Sequence, residues 1–327
     1  MPFPSYIEKY LDFAEALAAT HPSLRFDEPM SCHTTWRVGG PAAMAIAPES
    51  KADLLSILEL RQRLAPAMPV CILGKGSNVL FDDEGYDGLV IFTSKLNDII
   101  FSESDDDGYT TIHAECGASL TLLSKQCVSD GNALEGLAFA YGIPGTIGGA
   151  VVMNAGAYGG EMSDVVSWVE YYDMALGKLF AVPKEQLSFS YRHSIFTDHP
   201  EYVVLSAVLR MKQGDSDCIV AEMAKHMTTR RLKQPLELPN AGSVFKRPEG
   251  TFAGKLIEDS GLKGFTIGGA QVSEKHAGFI VNTGNATASD IKSLIAHVQH
   301  VIYINYGIQL EREVRMISSD PHTFDTP

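Results

Sequence analysis

The sequence contains no C-x-x-C pair, and its five cysteines (Cys32, Cys71, Cys116, Cys127, Cys218) are odd in number and scattered. This excludes a disulfide framework and a zinc knuckle, and it fits a reducing, cytoplasmic setting. Excess positive charge is missing as well. The 327 residues carry a formal net charge of -14, which argues against nucleic-acid or anionic-membrane binding, so an anionic ligand must be met by a local basic patch. The N-terminal stretch MPFPSYIEKYLDFAEAL has acids within its apolar run and no basic start, and no signal peptide is read there. No repeat with the period of a solenoid or propeller emerges. The Rossmann fingerprint G-x-G-x-x-G and the P-loop pattern G-x-x-x-x-G-K-[ST] are not matched.

What is present includes one stretch that resembles a membrane span. Residues 136–160, GLAFAYGIPGTIGGAVVMNAGAYGG, carry no charge and are long enough to cross a bilayer. They also hold eight glycines and Pro144, which a stable lone helix does not tolerate. Loops that bring backbone N–H groups against a flat or polar cofactor account for this composition better. Within it, GIPGTIGG places Gly145, Thr146, Gly148 and Gly149 together, followed by Ala150 and Val151, and MNAGAYGG continues through Asn154, Gly156, Gly159 and Gly160. Upstream, VCILGKGSNVL sets Gly74, Lys75, Gly76, Ser77 and Asn78 just after a strand, where they form either a phosphate-holding nest or a tight turn. Two glycine-rich elements on strand-rich ground favour a dinucleotide held by loops between sheets.

The coarse pattern begins as α/β. AAMAIAP, VCILG and LVIF read as strands, and Ser50 with Asp53 opens a helix bearing Leu54, Leu55, Leu58 and Leu64. Hairpins follow: DIIFSES and YTTIHAE flank a turn ending in Asp107 and Gly108, and a helix is expected over about 119–131. WVEYYDM, KLFAV and YVVLSAVLRM are further strands, and KQGDSD (212–217) is a boundary. Beyond it come a helix through Met227, a short helix in FAGKLIEDSG, strands around GGAQVS and GFIVN, and a long helix over 289–306. A last strand, LEREVRMI (310–317), would place Glu311, Glu313 and Arg315 on one face and Leu310, Val314 and Met316 on the other. The polar end, residues 318–327, is expected to be disordered.

Three motifs carry candidate chemistry. NAGSVFK holds Ser243 between a glycine and a β-branched residue, outside any G-x-S-x-G turn; its plain reading is a loop serine bonded to its own backbone. SYRHSIF holds Arg192, whose planar fork suits a carboxylate, although a surface arginine on a strand is the commoner explanation. TTRRLKQP and VFKRP gather Arg230, Arg231, Lys233, Lys246 and Arg247; a basic helix end explains the first two, and an anion site explains the set. His297 and His300 have no further ligands at metal spacing, so no metal is expected.

In their order and spacing, TTWRVGGPA, LGKGSN, IPGTIGGAVVMNAGAYG, YRHSIF, NAGSVFK and LEREVR resemble the UDP-N-acetylenolpyruvoylglucosamine reductase family over nearly the whole chain. The resemblance implies an α+β fold: an FAD-binding domain of the vanillyl-alcohol-oxidase type over 34–213, in subdomains of about 34–95 and 96–213, and a substrate-binding domain over 214–317. Residues 1–33 would be an N-terminal helical extension. It also implies FAD as cofactor, NADPH as co-substrate and UDP-N-acetylglucosamine enolpyruvate as substrate, in a cytoplasmic monomer without membrane insertion. By position, Ser243 would be the proton donor, with Glu313 and Arg192 as the other catalytic residues. Gly74, Lys75, Gly76, Ser77, Asn78, Gly145, Thr146, Gly148, Gly149, Ala150 and Val151 would hold FAD, and Arg231, Lys233, Arg247 and His276 the substrate. One subclass of the family closes a loop tyrosine over the substrate; here no tyrosine lies between Arg210 and Arg230, which is similar to the subclass without that loop. The competing expectations are a flavin-dependent oxidase of the same fold and a non-catalytic flavin or nucleotide-sugar binder.

Overall fold

The structure, a computed structural model, describes residues 5–129 and 131–318. The expected tail therefore lies outside the described residues, apart from Ser318. Two compact units form, each from three parts of the chain: Met1–Leu24, Ile46–Gly74 and Ile91–Thr229 in the first, and Arg25–Ala45, Lys75–Val90 and Arg230–Pro327 in the second.

A five-stranded antiparallel sheet organises the first unit, in the order Lys178–Pro183, Val166–Asp173, Tyr202–Lys212, Tyr109–Glu115, Ile99–Phe101. Period-two alternation in YTTIHAE buries Thr110, Ile112 and Ala114 on one face, as a half-covered strand should. The central strand Tyr202–Lys212 is paired on both edges and buries residues 203 to 207 without a break, so its sequence reads as a continuous apolar run. Helix Lys51–Leu64 starts where local chemistry predicts: Ser50 Oγ accepts the Asp53 N–H at 3.2 Å, satisfying an otherwise orphan donor. Helix Leu120–Gln126 is capped by Ser119 and ends five residues before the expected Gly131. The glycine-rich stretch of residues 136–160 is broken into Ala138–Ala140, helix Ile147–Val152 and the strand pair Gly156–Ala157 and Gly160–Glu161. Among the described residues no helix is long and apolar enough to cross a membrane.

The N-terminal extension is helical over Ser5–Tyr10 and Leu11–Thr20, then gives way to strand Arg25–Pro29, which belongs to the second unit. Only Gln213, Gly214 and Asp215 separate strand Tyr202–Lys212 from helix Ser216–Lys233. That helix runs six residues past Met227 and contains the division between the units.

In the second unit a four-stranded antiparallel sheet runs in the order Asn240–Ser243, Phe279–Asn282, Ala270–Val272, Thr266–Ile267. Helix Ala288–Tyr306 turns Ile291, Leu294, Ile295, Val298 and Ile302 into the core, the spacing of one helical face. Trp36 is fully buried in this core, and its indole N–H donates to the Ile280 carbonyl at 2.8 Å. The helix begins with a reciprocal Thr287–Asp290 capping box and ends at Gly307, where φ is 67°. A second anchor comes from far along the chain: the Asp83 carboxylate accepts the N–H groups of Ala288 (2.7 Å) and Ser289 (2.8 Å), and Asp82 pairs with Lys292.

Asp83→Ala removes both acceptors while the Thr287 cap remains. The expected cost is about 1–2 kcal/mol of stability, read as a lower urea midpoint at unchanged slope.

Candidate active site

The serine loop is shaped by its asparagine and glycine. Asn240 Nδ2 donates to the carbonyls of Pro235 (3.1 Å) and Leu238 (2.8 Å), and its Oδ1 accepts the Gly242 N–H at 3.0 Å. Strand register then slips: Asn240 faces Val281 and Ser243 faces Phe279, three steps on one strand against two on the other. This is a bulge, with Gly242 supplying the left-handed φ of 79°, and bulges re-aim the side chain that follows. Ser243 is half-buried. Among the described residues its hydroxyl has no hydrogen-bond partner, so the self-satisfied loop serine expected from the sequence is not what forms.

Glu313 lies on the neighbouring backbone. Its N–H donates to the Val244 carbonyl at 2.7 Å, Lys246 N–H donates to the Glu311 carbonyl at 2.9 Å, and Phe245 and Arg312 form an antiparallel bridge between these bonds. The expected strand over 310–317 is thus corrected. The chain pairs first with the serine segment and then, as the three-residue strand Arg315–Ile317, in parallel with Val79–Phe81. Alternation still buries Leu310 and Val314, which is why the sequence looked like one continuous strand. Asn78 ties the change of partner together: its Nδ2 donates to the Glu313 carbonyl at 3.1 Å and its own carbonyl accepts the Arg315 N–H at 3.0 Å.

The two expected glycine cradles divide by role. Gly76 has φ 59°, and a Cβ there would stand 2.0 Å from the His33 carbonyl oxygen; the chain's own backbone requires this glycine. Gly74 makes room for Thr146, whose Oγ1 would be 2.4 Å from a Cβ at that position. Gly148 lies against Cys116, donating its N–H to the Cys116 carbonyl at 2.8 Å. Burial pushes the Cys116 thiol up to about 12, so no thiolate stands beside this loop at neutral pH. Gly145 differs, because a Cβ there would meet nothing within 4 Å, and Gly149 is exposed, with only the Thr146 hydroxyl at 3.7 Å. Bare backbone at Gly145 and Gly149, beside the Thr146-capped start of helix Ile147–Val152, fits a flat, anionic cofactor approaching at peptide distance. Ala150 and Val151 are buried behind it, Lys75 is exposed and Ser77 half-exposed.

Asn154 was grouped with this cradle, and the structure corrects that. It is fully buried, its Nδ2 donates to the Ser190 carbonyl at 3.0 Å, and its Oδ1 accepts the Ser163 N–H at 2.9 Å. Arg192, in the same unit, is not on a strand. It occupies the third position of a tight turn closed by His193 N–H to Ser190 carbonyl at 3.2 Å, with φ 55°. Left-handed backbone at a non-glycine residue costs on the order of 1–3 kcal/mol, and both Arg192 and Asn154 (φ 46°) adopt it. The guanidinium Nη2 donates to the Gly156 carbonyl at 2.7 Å, and the ring of Tyr191 lies 5.1 Å below it. Ser194, also fully buried, donates its hydroxyl to the Val152 carbonyl at 2.7 Å. Nearby, Tyr158 stacks on His226 with ring centroids 4.1 Å apart.

The basic residues fall in the second unit. Arg231, Lys233 and Arg247 are exposed, and Arg247 lies 4.1 Å over the Phe252 ring. His276 is half-buried; its Nδ1 accepts the Gly278 N–H at 3.1 Å, which leaves the Nε2 proton as the outward donor of the neutral ring. Desolvation holds His276 below its ordinary 6.5, and the charges of Lys263 and Lys233 act in the same direction. His297 instead stacks on Phe265 at 4.4 Å. Ser243, Glu313, Asn78 and the basic residues thus belong to the second unit, whereas Arg192, Gly74 and the Thr146 loop belong to the first.

Comparisons with known proteins give this arrangement its context. Residues 41–182 match the FAD binding domain family, and residues 234–317 match the C-terminal domain of UDP-N-acetylenolpyruvoylglucosamine reductase. The reductase of that name from Clostridioides difficile strain 630 is 45% identical over 297 residues, covering 91% of this chain and 94% of the relative. Its counterpart from Streptococcus suis strain 05ZYH33 is 46% identical over 300 residues, covering 92% and 95%. The crystal structure of the Thermus caldophilus reductase superposes with a TM-score of 0.72 at 33% identity, covering 90% of this chain and 98% of that one. Identity at this level over nearly the full length, joined to an FAD-binding domain and the family's C-terminal domain, establishes that the chain belongs to the UDP-N-acetylenolpyruvoylglucosamine reductase family.

Proposed function

We propose that Ser243, Arg192 and Glu313 are the reacting side chains in the family's reaction, the NADPH-dependent reduction of UDP-N-acetylglucosamine enolpyruvate to the peptidoglycan precursor UDP-N-acetylmuramate. Bound FAD supplies the hydride, drawn from NADPH, that adds to the terminal carbon of the enolpyruvyl group. Hydride addition leaves an electron pair on the neighbouring carbon, delocalised into its carboxylate. Such a carbon is basic enough to take a proton from a hydroxyl within hydrogen-bond reach. Ser243 is assigned that proton. Arg192 stabilises the charge growing on the carboxylate, and Glu313 in its protonated form donates a hydrogen bond to it.

The observation that carries this reading is the serine at a bulge with no partner for its hydroxyl among the described residues, one residue from the carbonyl that receives the Glu313 N–H. A structural loop serine would bond to its own backbone; a proton donor must keep its hydroxyl for the substrate. The open backbone of Gly145 and Gly149 supports the flavin assignment; Gly74, Thr146, Gly148, Ala150 and Val151 of the first unit and Lys75, Gly76, Ser77 and Asn78 of the second are assigned to FAD by the family resemblance. Arg231, Lys233, Arg247 and the Nε2–H of His276 are assigned to the uridine diphosphate end, where positive charge and donors suit phosphate oxygens. Family membership favours this reductase over an oxygen-using oxidase or a non-catalytic binder. The functional division we assign is FAD binding over 34–213 and substrate binding over 214–317, in a monomeric, cytoplasmic protein.

Ser243→Ala should leave NADPH reduction of the flavin within about twofold and slow reoxidation by the enolpyruvyl substrate by at least about 10²-fold, the scale of a lost general acid. Rapid-mixing absorbance of each half-reaction checks this; equal slowing of both halves, or of neither, removes Ser243 from the role. Arg192→Lys keeps the charge but loses the planar fork, and reoxidation should fall by about 10²-fold, toward the cost of one lost oxyanion donor. Normal reoxidation in that variant would argue against a carboxylate clamp.

His276 gives a pH prediction. Its folded pKa lies below the unfolded 6.5, so in that window the unfolded chain binds more protons and stability rises with pH. Stability should fall as pH drops below about 6.5. His276→Gln should flatten that part of the profile, and an NMR titration of the ring should show a midpoint below 6.5.

A further inference from the structure

We infer that Asn154 is a positioning residue for Arg192, holding the turn that presents the guanidinium; the inference rests on the carboxylate role proposed for Arg192. Arg192 is not glycine, and its φ of 55° is one that side chains with a Cβ rarely adopt; locally, only the reciprocal backbone pair of Ser190 and His193 closes the turn. Asn154, 36 residues before Ser190, adds a support from outside the turn. Its buried amide donates to the carbonyl of Ser190, the first residue of the turn, at 3.0 Å. The same amide accepts the Ser163 N–H at 2.9 Å, so it cannot rotate without losing both bonds. Two residues after Asn154, the Gly156 carbonyl accepts the guanidinium at 2.7 Å. One short segment thus holds both the first residue of the turn and the head of the arginine.

The support is specific to this amide. Asn154 itself stands at φ 46°, a region that asparagine tolerates better than other residues with a Cβ. A leucine there would resist the backbone, an aspartate would lose the donor to Ser190, and a glycine would keep the backbone and lose both bonds. Ser194 supplies an independent hold on the far side of the turn, through its hydroxyl to Val152 at 2.7 Å. Asn154 is fully buried with both ends of its amide engaged, so it acts through Arg192 and not on substrate.

The test is a double-mutant cycle on the FAD-loaded full chain, with the two half-reactions measured separately. Asn154→Gly should slow reoxidation by the enolpyruvyl substrate about 10- to 100-fold, the scale on which a misplaced catalytic group loses rate, while NADPH reduction of the flavin stays within about twofold. In an Arg192→Ala background the Asn154 substitution should have no further effect, because the group it positions is gone. A merely structural role would slow both half-reactions, or multiply with Arg192→Ala, and either result overturns the inference. If Arg192→Ala slows reoxidation but Asn154→Gly leaves it unchanged, the inference fails while the proposed function stands. If Arg192→Ala leaves reoxidation unchanged, the role given to Arg192 fails, and the inference with it. Should Asn154→Gly not fold, Asn154→Asp, which keeps an acceptor for Ser163 and loses the donor to Ser190, carries the same cycle, with the same selective loss expected and the same outcomes overturning it.

Discussion

The hydrogen bond from Glu313 N–H to the Val244 carbonyl, 2.7 Å long, is the constraint around which the second unit's chemistry is arranged. It joins the last segment of the chain to the serine loop, two stretches about 70 residues apart in sequence. Because Val244 is buried and immediately follows the Gly242 bulge, the position of Ser243 is set by a buried neighbour and not by its own side chain. Its hydroxyl remains available as a result. Asn78 extends the same logic, since its amide and carbonyl hold Glu313 and Arg315 as the chain changes partner. The proton-donor role proposed for Ser243 calls for this combination of a fixed backbone and a hydroxyl with no partner among the described residues.

The carboxylate role proposed for Arg192 makes a similar demand, met by another route. A planar guanidinium recognises a carboxylate through direction as much as charge, and direction has to be imposed when the side chain stands on a left-handed turn. The buried groups around that turn, Asn154 Nδ2 and Ser194 Oγ, each find a backbone carbonyl. Full satisfaction of buried donors is what makes such a support rigid, because an unmet donor would favour rearrangement. The glycine-rich stretch of the first unit therefore does two things in sequence: Gly145 and Gly149 expose backbone, and Asn154 and Gly156 brace an arginine.

Much of this was legible because its physics is local. Ser50 announces its helix by a bond three residues away, the Thr287–Asp290 box does the same for the longest helix, and alternation in YTTIHAE marks its strand. The six motifs that carry the family resemblance also placed the candidate serine, glutamate and arginine. What could not be read were features set by distant partners. LEREVRMI alternates like one strand, yet its two halves pair with different segments. Gly74 and Gly76 look like ligand-facing glycines, but Thr146 and the His33 carbonyl occupy the space where their side chains would be. Asn154 reads as part of a cofactor loop until Ser190 and Ser163 are seen to use its whole amide. The single hint in the sequence was an asparagine just after a short apolar run, the residue type that accepts left-handed backbone.

The most direct test of the account is anaerobic NADPH oxidation by the FAD-loaded chain, followed over many turnovers with and without UDP-N-acetylglucosamine enolpyruvate. The account predicts sustained oxidation only when that substrate is present, with one UDP-N-acetylmuramate formed for each NADPH consumed. Oxidation that stops after one flavin equivalent in the presence of substrate, or that proceeds equally well without it, would contradict it.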